Sequence, residues 1–325
     1  MRLVRAALAT SRDDLPAAVV EKAKICLLDF LGSAFEARDL PWSRQAIALA
    51  AATTGGATVI GAPCRVPHAE AAFANGVLGH GLVREDMHAG SVSHLGVVVL
   101  PTLLALAELH RVDGREFVAA TAVGYEVGAR IGRALIDPDV ARRLRPTGIT
   151  GPLAGTAAGA RLLRLGTDAA ASALALAANT VAGLNEWAHT GGSEMFFHPG
   201  FAARNAVTAV RLAELGAYGS PTALDGEAGL FAAFGKAKAA ADVALFDGPP
   251  EILAVYQKPA PACNFAQTAC QAALRLARDL DGSPDAIAAV TVRVPHAAAA
   301  YPGCDFKGPF ARRLQAKMSI QYNVA

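Results

Sequence analysis

Apolar residues along the chain recur at helical spacing and almost never alternate. Between Asp14 and Ala37 they fall at Val19, Ala23, Cys26, Leu27 and Phe30, one face of a 3.6-residue period. Asp13 or Asp14 is placed to cap that helix, and Pro16 suits its first turn. The same spacing predicts helices over Trp42–Ala52, Ala69–Leu82, Leu95–His110, Arg115–Leu135, Gly151–Leu165, Asp168–Leu184 and Gly200–Leu215. A short β-like segment, Ala57–Ile60, runs into a loop marked by Gly61 and Pro63. Glycines at 151, 155 and 159 share a helix face, where a missing Cβ lets a second backbone approach closely. They do not form GxGxxG after a strand, so no dinucleotide site is read there.

The pattern changes near residue 249, where Pro249-Pro250 closes the alanine-rich part. Glu251–Tyr256 reads as a short strand and Phe265–Leu280 as a helix. Ile287–Val294 (IAAVTVRV), rich in β-branched residues and ended by Pro295, reads as the clearest strand in the chain. A helix opens near Arg312 and is still running at Ala325. The expected fold is therefore mainly α: a large all-helical domain over residues 1–249, then a partial, smaller α+β domain over residues 250–325.

Composition supports the helical reading, because alanine, the best helix former, makes up more than a fifth of the chain. With 53% hydrophobic and 18% charged residues the chain is too apolar for disorder. A net charge of +2 gives no field that would draw nucleic acid or a membrane surface. The longest apolar run, Leu95–Ala107, is too short to span a bilayer and contains Pro101. No secretory stretch is read at the N-terminus, and a soluble, cytoplasmic protein is expected. Cys26, Cys64, Cys263, Cys270 and Cys304 form no CxxC pair, which argues against a disulfide framework, a structural zinc site or an iron–sulfur cluster. They read as free, mostly buried thiols.

Three polar segments interrupt the apolar helices. The first, His80 to His94, holds His80, Arg84, Glu85, Asp86, His88 and His94 within fifteen positions, a density suited to catalysis on a loop held by rigid helices. A metal set drawn from His80, His88, His94 and Asp86 is a further reading, although no HExxH-type spacing is present. The second segment, Arg142 to Gly148, puts Arg145 just ahead of a helix start, a place suited to a carboxylate. In the third, prolines fix Lys258 ahead of the Phe265 helix. His198 flanks a segment between two helices where it would line a cavity.

Together these segments resemble the MmgE/PrpD family, which includes 2-methylcitrate dehydratase, cis-aconitate decarboxylase and iminodisuccinate epimerase. The resemblance rests on Ala72-Phe-Ala-Asn75-Gly76, His80, Glu85-Asp86, His94-Leu-Gly96, Leu100-Pro101 and Ala105-Leu-Ala-Glu108. Asp29-Phe-Leu-Gly32, Gly124-Tyr-Glu-Val-Gly128, the Gly151-Pro-Leu-Ala-Gly155 run, Lys258-Pro-Ala-Pro-Ala-Cys263 and Ala316-Lys-Met-Ser-Ile-Gln-Tyr322-Asn-Val-Ala325 follow in family order. It implies a helical domain with an α+β lid domain, an active site between them, a homodimer, and chemistry on small polycarboxylates with no metal or cofactor. Family chains continue past the last of these motifs, so a C-terminal part of a typical member is expected beyond Ala325. Four positions depart from the pattern: decarboxylase-like members have an aspartate at the place of Val83 and a threonine at that of Met87, and the family has a histidine at Arg145 and a lysine at Met195.

Such chemistry breaks a bond to the carbon beside a carboxylate, so it needs a base, an acid and cations where negative charge develops. His94 resembles the family histidine and is assigned first as base, with His88 second. Lys258 resembles the family lysine, and Lys258 or Tyr301 supplies the acid. Arg84, Asp86, Arg145 and His198 are assigned to substrate binding. Dehydration, decarboxylation and epimerisation all fit this set. The alternatives are a catalytically inactive helical relative acting as a binding or scaffold protein, and a metal hydrolase on His80, His88 and His94.

Overall fold

The computed structural model describes residues 1–280, 285 and 287–325. Its helices and strands are α1 (Arg2–Ala9), α2 (Ala17–Ala37), α3 (Pro41–Ala50), β1 (Ala57–Thr58), β2 (Arg65–Val66), α4 (His68–His80), β3 (Met87–His88), α5 (Gly96–His110) and α6 (Gly114–Leu135). Then come α7 (Pro138–Arg143), α8 (Pro146–Leu162), α9 (Thr167–Ala178), α10 (Trp187–Thr190), α11 (Glu194–Glu214) and α12 (Leu230–Ala233). The C-terminal part adds β4 (Val255–Tyr256), α13 (Gln267–Asp279), α14 (His296–Ala300), α15 (Arg313–Met318) and α16 (Ile320–Val324). The structure is 62% helical and 3% strand, a mainly α fold as expected.

Helix α8 is the axis of the bundle. Every residue from Pro146 to Leu162 is buried, with α5, α6, α9 and α11 packed around it. A helix covered on all sides must be slim where its neighbours cross, and the three glycines supply this. A Cβ placed on Gly151 would meet Val98 at 2.9 Å, one on Gly155 would meet Ala206 Cβ at 2.8 Å, and one on Gly159 would meet Leu106 at 2.6 Å. The Gly155→Val variant should therefore push α8 away from α5 and α11 and lose about 3 kcal/mol, the upper end for overpacking a tight core. Urea titration checks this: a midpoint equal to that of the parent chain would mean the helices are not in register-limiting contact at Gly155.

Several boundaries differ from the expectation, each for a local reason. α8 begins at Pro146, not Gly151, because proline at the first helical position needs no N–H partner. α11 begins at Glu194 and carries Pro199 inside it, where the sequence predicted a start at Gly200. The helix expected from Arg312 onward is split at Ser319, whose extended backbone ends α15 and whose hydroxyl accepts the Tyr322 N–H to open α16.

The strand expected over Ile287–Val294 is absent. Those residues run without regular structure and are largely exposed, since no second strand lies beside them among the described residues to complete a ladder. The β content expected of residues 250–325 therefore reduces, among the described residues, to β4. That strand pairs antiparallel with β3, Met87 opposite Tyr256 and His88 opposite Val255. The pairing stitches the C-terminal part to the polar loop after α4. No helix among the described residues is long and apolar enough to cross a membrane.

Candidate active site

Helix α4 ends at His80, and the chain then turns through Val83 and Val92, two β-branched residues held at φ of 60° and 51°. Left-handed backbone is costly for valine, and such strain concentrates where a site fixes its own geometry. Here it turns the Val83 carbonyl onto the buried Lys258 ammonium, which donates to it at 2.6 Å and to the Ala262 carbonyl at 3.4 Å. Asp86 anchors the loop: one carboxylate oxygen accepts the Gly96 N–H that opens α5, and the other accepts the Tyr125 hydroxyl.

The centre of the cluster is Glu85, which is fully buried. Its Oε1 lies 2.7 Å from His80 Nδ1, 2.9 Å from His94 Nδ1 and 3.9 Å from Lys258 Nζ. Arg145, at the start of α8, donates from Nη2 to His80 Nε2 at 3.1 Å, and its guanidinium carbon sits 5.5 Å from the centre of the Trp187 ring. His80 Nε2 is thus an acceptor, so its proton lies on Nδ1, facing Glu85. His94 Nδ1 lies between two acceptors, Glu85 Oε1 and the Asp86 carbonyl at 2.9 Å, which assigns it the same tautomer and leaves Nε2 as a lone pair with no partner among the described residues.

These contacts set the charges. Burial pushes the Glu85 carboxyl up, but His80, Lys258 and His94 together hold it well below the usual carboxylate range. Burial, then the Lys258 charge, pulls His94 down to about 3, so the imidazole is neutral and able to accept a proton. Burial also lowers Lys258, against the pull of Glu85. Lys317, donating to the Leu82 and Pro261 carbonyls, is lowered to about 8 by burial.

His94 and Arg145 border a small cavity of about 20 Å³ together with Val83, Met87, Cys263, Asn264 and Tyr301. That volume holds about one water. Two buried polar atoms of its lining residues, Arg145 Nε and Asn264 Oδ1, have no hydrogen-bond partner among the described residues. Unpaired polar groups cost stability, so their concentration here marks a place built for a polar ligand. A small carboxylate is larger than this cavity as it stands in the structure. A larger hollow of about 520 Å³ lies between α1, α9 and residues 220–243, but its lining is mostly alanine, leucine and valine.

Of the residues assigned from sequence, the structure brings together His94, Lys258, Arg145 and Tyr301. It places the other four elsewhere. His88 bonds Glu251 at 2.9 Å and Ser91 at 2.8 Å, locking the loop to residues beside α6. The Arg84 side chain is 40% exposed and lies 3.9 Å from Glu36. Asp86 holds backbone and Tyr125 rather than facing the cavity. His198 borders a separate hollow of about 370 Å³, with burial lowering its pKa to about 4. Sequence reasoning missed Glu85 as the hub, the supporting role of His80, and the Trp187, Asn264 and Cys263 walls.

A metal set on His80, His88 and His94 does not form, since His88 points to Glu251. His80, Glu85 and His94 do converge, with ligand atoms within 4.8 Å of one another. Yet both nitrogens sit at hydrogen-bonding distance from one oxygen, closer than the ~3.3 Å between ligands of a tetrahedral zinc. Lys258 and Arg145 add positive charge beside them. The donor set fits a proton-sharing network, not a cation.

The MmgE/PrpD N-terminal domain matches residues 1–242, and the MmgE/PrpD C-terminal domain matches residues 260–325. The cis-aconitate decarboxylase-like protein oryM of Aspergillus oryzae is 33% identical over 228 residues, 67% of this chain and 47% of that protein. A cis-aconitate decarboxylase of Aspergillus terreus is 31% identical over 222 residues, 66% of this chain and 44% of that protein. The chain spans about half the length of the curated relatives it matches. With both family domains matched in order along most of its length, the chain belongs to the MmgE/PrpD family.

Proposed function

We propose that this site is that of a lyase acting on a small polycarboxylate, with His94 moving a proton at the carbon beside a carboxylate. The observation that carries the reading is the neutral His94 with its Nε2 lone pair, bordering the same cavity as the Arg145 guanidinium. Arg145, steadied by Trp187 and His80 and with Nε unpaired, seats one carboxylate. That anion offsets the Lys258 charge felt by His94 and raises its basicity toward neutral pH. Negative charge developing on the substrate falls between Arg145 and Lys258, preorganised cations in a dry site.

Tyr301, whose phenol burial holds above its ordinary value, keeps its proton until it is needed. In a dehydration His94 takes the C–H proton, the C–O bond breaks, and Tyr301 protonates the departing hydroxide to water. In a decarboxylation the C–C bond breaks, carbon dioxide leaves, and Tyr301, or His94 after taking a proton from solvent, gives a proton to the electron pair left behind. The decarboxylase names of the relatives favour the second course. Against it, Val83 and Met87 stand where decarboxylase-like members have an aspartate and a threonine, which makes that wall apolar.

The test is incubation of the chain in deuterium oxide with cis-aconitate and a panel of di- and tricarboxylates, followed by NMR. Loss of carbon dioxide with one deuterium placed on the carbon it leaves, or loss of water with deuterium exchanged into the remaining substrate beside a carboxylate, is expected from at least one of them. A folded chain that neither turns over nor exchanges any of the panel overturns the reading.

A further inference from the structure

Two buried cysteines face each other beside the cavity, Cys263 in its wall and Cys304 behind it. Cys263 Sγ and Cys304 Sγ are 3.6 Å apart, about 1.5 Å beyond bonding distance. Cys304 is fully buried, and Cys263 is nearly so but borders the cavity. The framework that aligns them does not depend on the sulfurs. The Cys263 N–H donates to the Lys317 carbonyl at 2.8 Å, and the Ile320 N–H donates to the Cys304 carbonyl at 2.9 Å. Phe265 packs on Tyr301 with ring centres 5.2 Å apart, tying the same two segments together. Among the described residues the other three cysteines have no cysteine partner: the Cys26 sulfur meets the Gln257 amide at 3.6 Å and the Tyr125 and Asp86 side chains, and Cys64 and Cys270 are partly exposed.

The geometry points to Cys263–Cys304 as an oxidative modification site, which takes a small two-electron oxidant of the peroxide class and becomes a disulfide. Cys263 is the attacking thiol. The Cys304 thiol donating to its sulfur, with Lys258 nearby, brings Cys263 down to about 7 against the effect of burial. Cys304, bonded to the Cys263 sulfur and buried, is raised and keeps its proton. The Cys263 thiolate attacks one peroxide oxygen, the O–O bond breaks, and the other oxygen leaves as water after taking a proton. The Cys304 sulfur then attacks the Cys263 sulfenic sulfur. The S–O bond breaks, the S–S bond forms, and a second water leaves with the Cys304 proton. Two thiols and one peroxide thus give one disulfide and two waters. The cavity has room for an oxidant little larger than water.

The bond would join the segment carrying Lys258 to the segment carrying Tyr301. It would draw the Cys263 sulfur out of the cavity wall without separating any backbone contact already present. The pair itself stands on its own geometry, whatever reaction the cavity performs.

The test uses the whole chain, treated with hydrogen peroxide at neutral pH, quenched in acid, unfolded and alkylated, then read by mass spectrometry. A chain lighter by two hydrogens is expected, with two of its five thiols protected and one tryptic peptide pair joined through residues 263 and 304. Dithiothreitol should restore all five. In Cys304→Ser, dimedone should trap a sulfenic acid on Cys263, whereas in Cys263→Ser residue 304 should stay unmodified. Independent alkylation of both cysteines after peroxide, bridging through Cys26, Cys64 or Cys270, or dimedone on Cys304 in the Cys263→Ser chain would each overturn the proposal.

Discussion

The His94→Asn variant should lose about 10²–10⁴-fold in turnover, the usual share of a positioned base, with little change in substrate binding. Asparagine keeps an N–H where His94 Nδ1 donates to Glu85 and the Asp86 carbonyl, so the loop retains its hydrogen bonds while Nε2 disappears. Arg145 still seats the carboxylate, which is why kcat and not KM carries the loss. Deuterium wash-in should vanish with it. Parent-level exchange in this variant would remove His94 from the mechanism and leave the cavity without a base.

The same variant should change how the fold responds to acid. An unfolded histidine binds its proton below about pH 6.5, whereas folded His94 does so only near 3. Between those values the unfolded chain holds the extra proton, so stability is complete above about 6.5 and falls as pH drops toward 3. His80, lowered by burial, and His198, lowered to about 4 by burial, act in the same direction. Asp86 opposes them: burial raises it to about 6, so its contribution grows as pH falls from 6 toward its ordinary 3.8. With His68 and His88 also lowered by burial and Asp29 also raised by it, five histidines outweigh two carboxyls. The melting temperature should decline from pH 7 to pH 5, and less steeply in His94→Asn.

Helical structure was legible because α2, α5 and α6 each satisfy local propensity and carry an apolar surface of the right period. The start of α8 was less so, since Thr147 and Gly148 read as loop, although Pro146 was itself a start signal. Ile287–Val294 shows the opposite error. Its β-branched run fits a pleated surface, but a strand exists only beside another, and that neighbour is not written in the segment. The site divides in the same way. His94, Lys258, Arg145 and Tyr301 lie far apart in sequence, and only the family pattern grouped them. Between the adjacent carboxylates Glu85 and Asp86, the sequence reading chose Asp86 for the substrate. What turns Glu85 toward His80 and His94 instead is the left-handed backbone at Val83, a conformation that valine gives no reason to expect.

Glu85 is also where the largest loss of stability is expected. In Glu85→Ala the buried Lys258 loses the one carboxylate within 4 Å of it among the described residues, and both histidines lose their shared acceptor. Removing one member of a buried ion pair costs about 3–5 kcal/mol, chiefly because the other charge stays behind without compensation. The two carbonyls at Lys258 soften this but do not neutralise it. Without Glu85 the lysine, already lowered by burial, falls further, and folding then favours its neutral form. Stability of the variant should therefore rise with pH above neutrality, up to the ordinary lysine value, where the parent chain gains less. Lys258→Met alone should cost less, since Glu85 keeps His80 and His94 as donors. Combining the two substitutions should then be cheaper than their sum by about 1–3 kcal/mol, because methionine removes the stranded charge that makes Glu85→Ala severe. Urea titrations of the four chains measure this directly. Costs that simply add would mean that the 3.9 Å separation carries no interaction, and that Lys258 is held by the Val83 and Ala262 carbonyls alone.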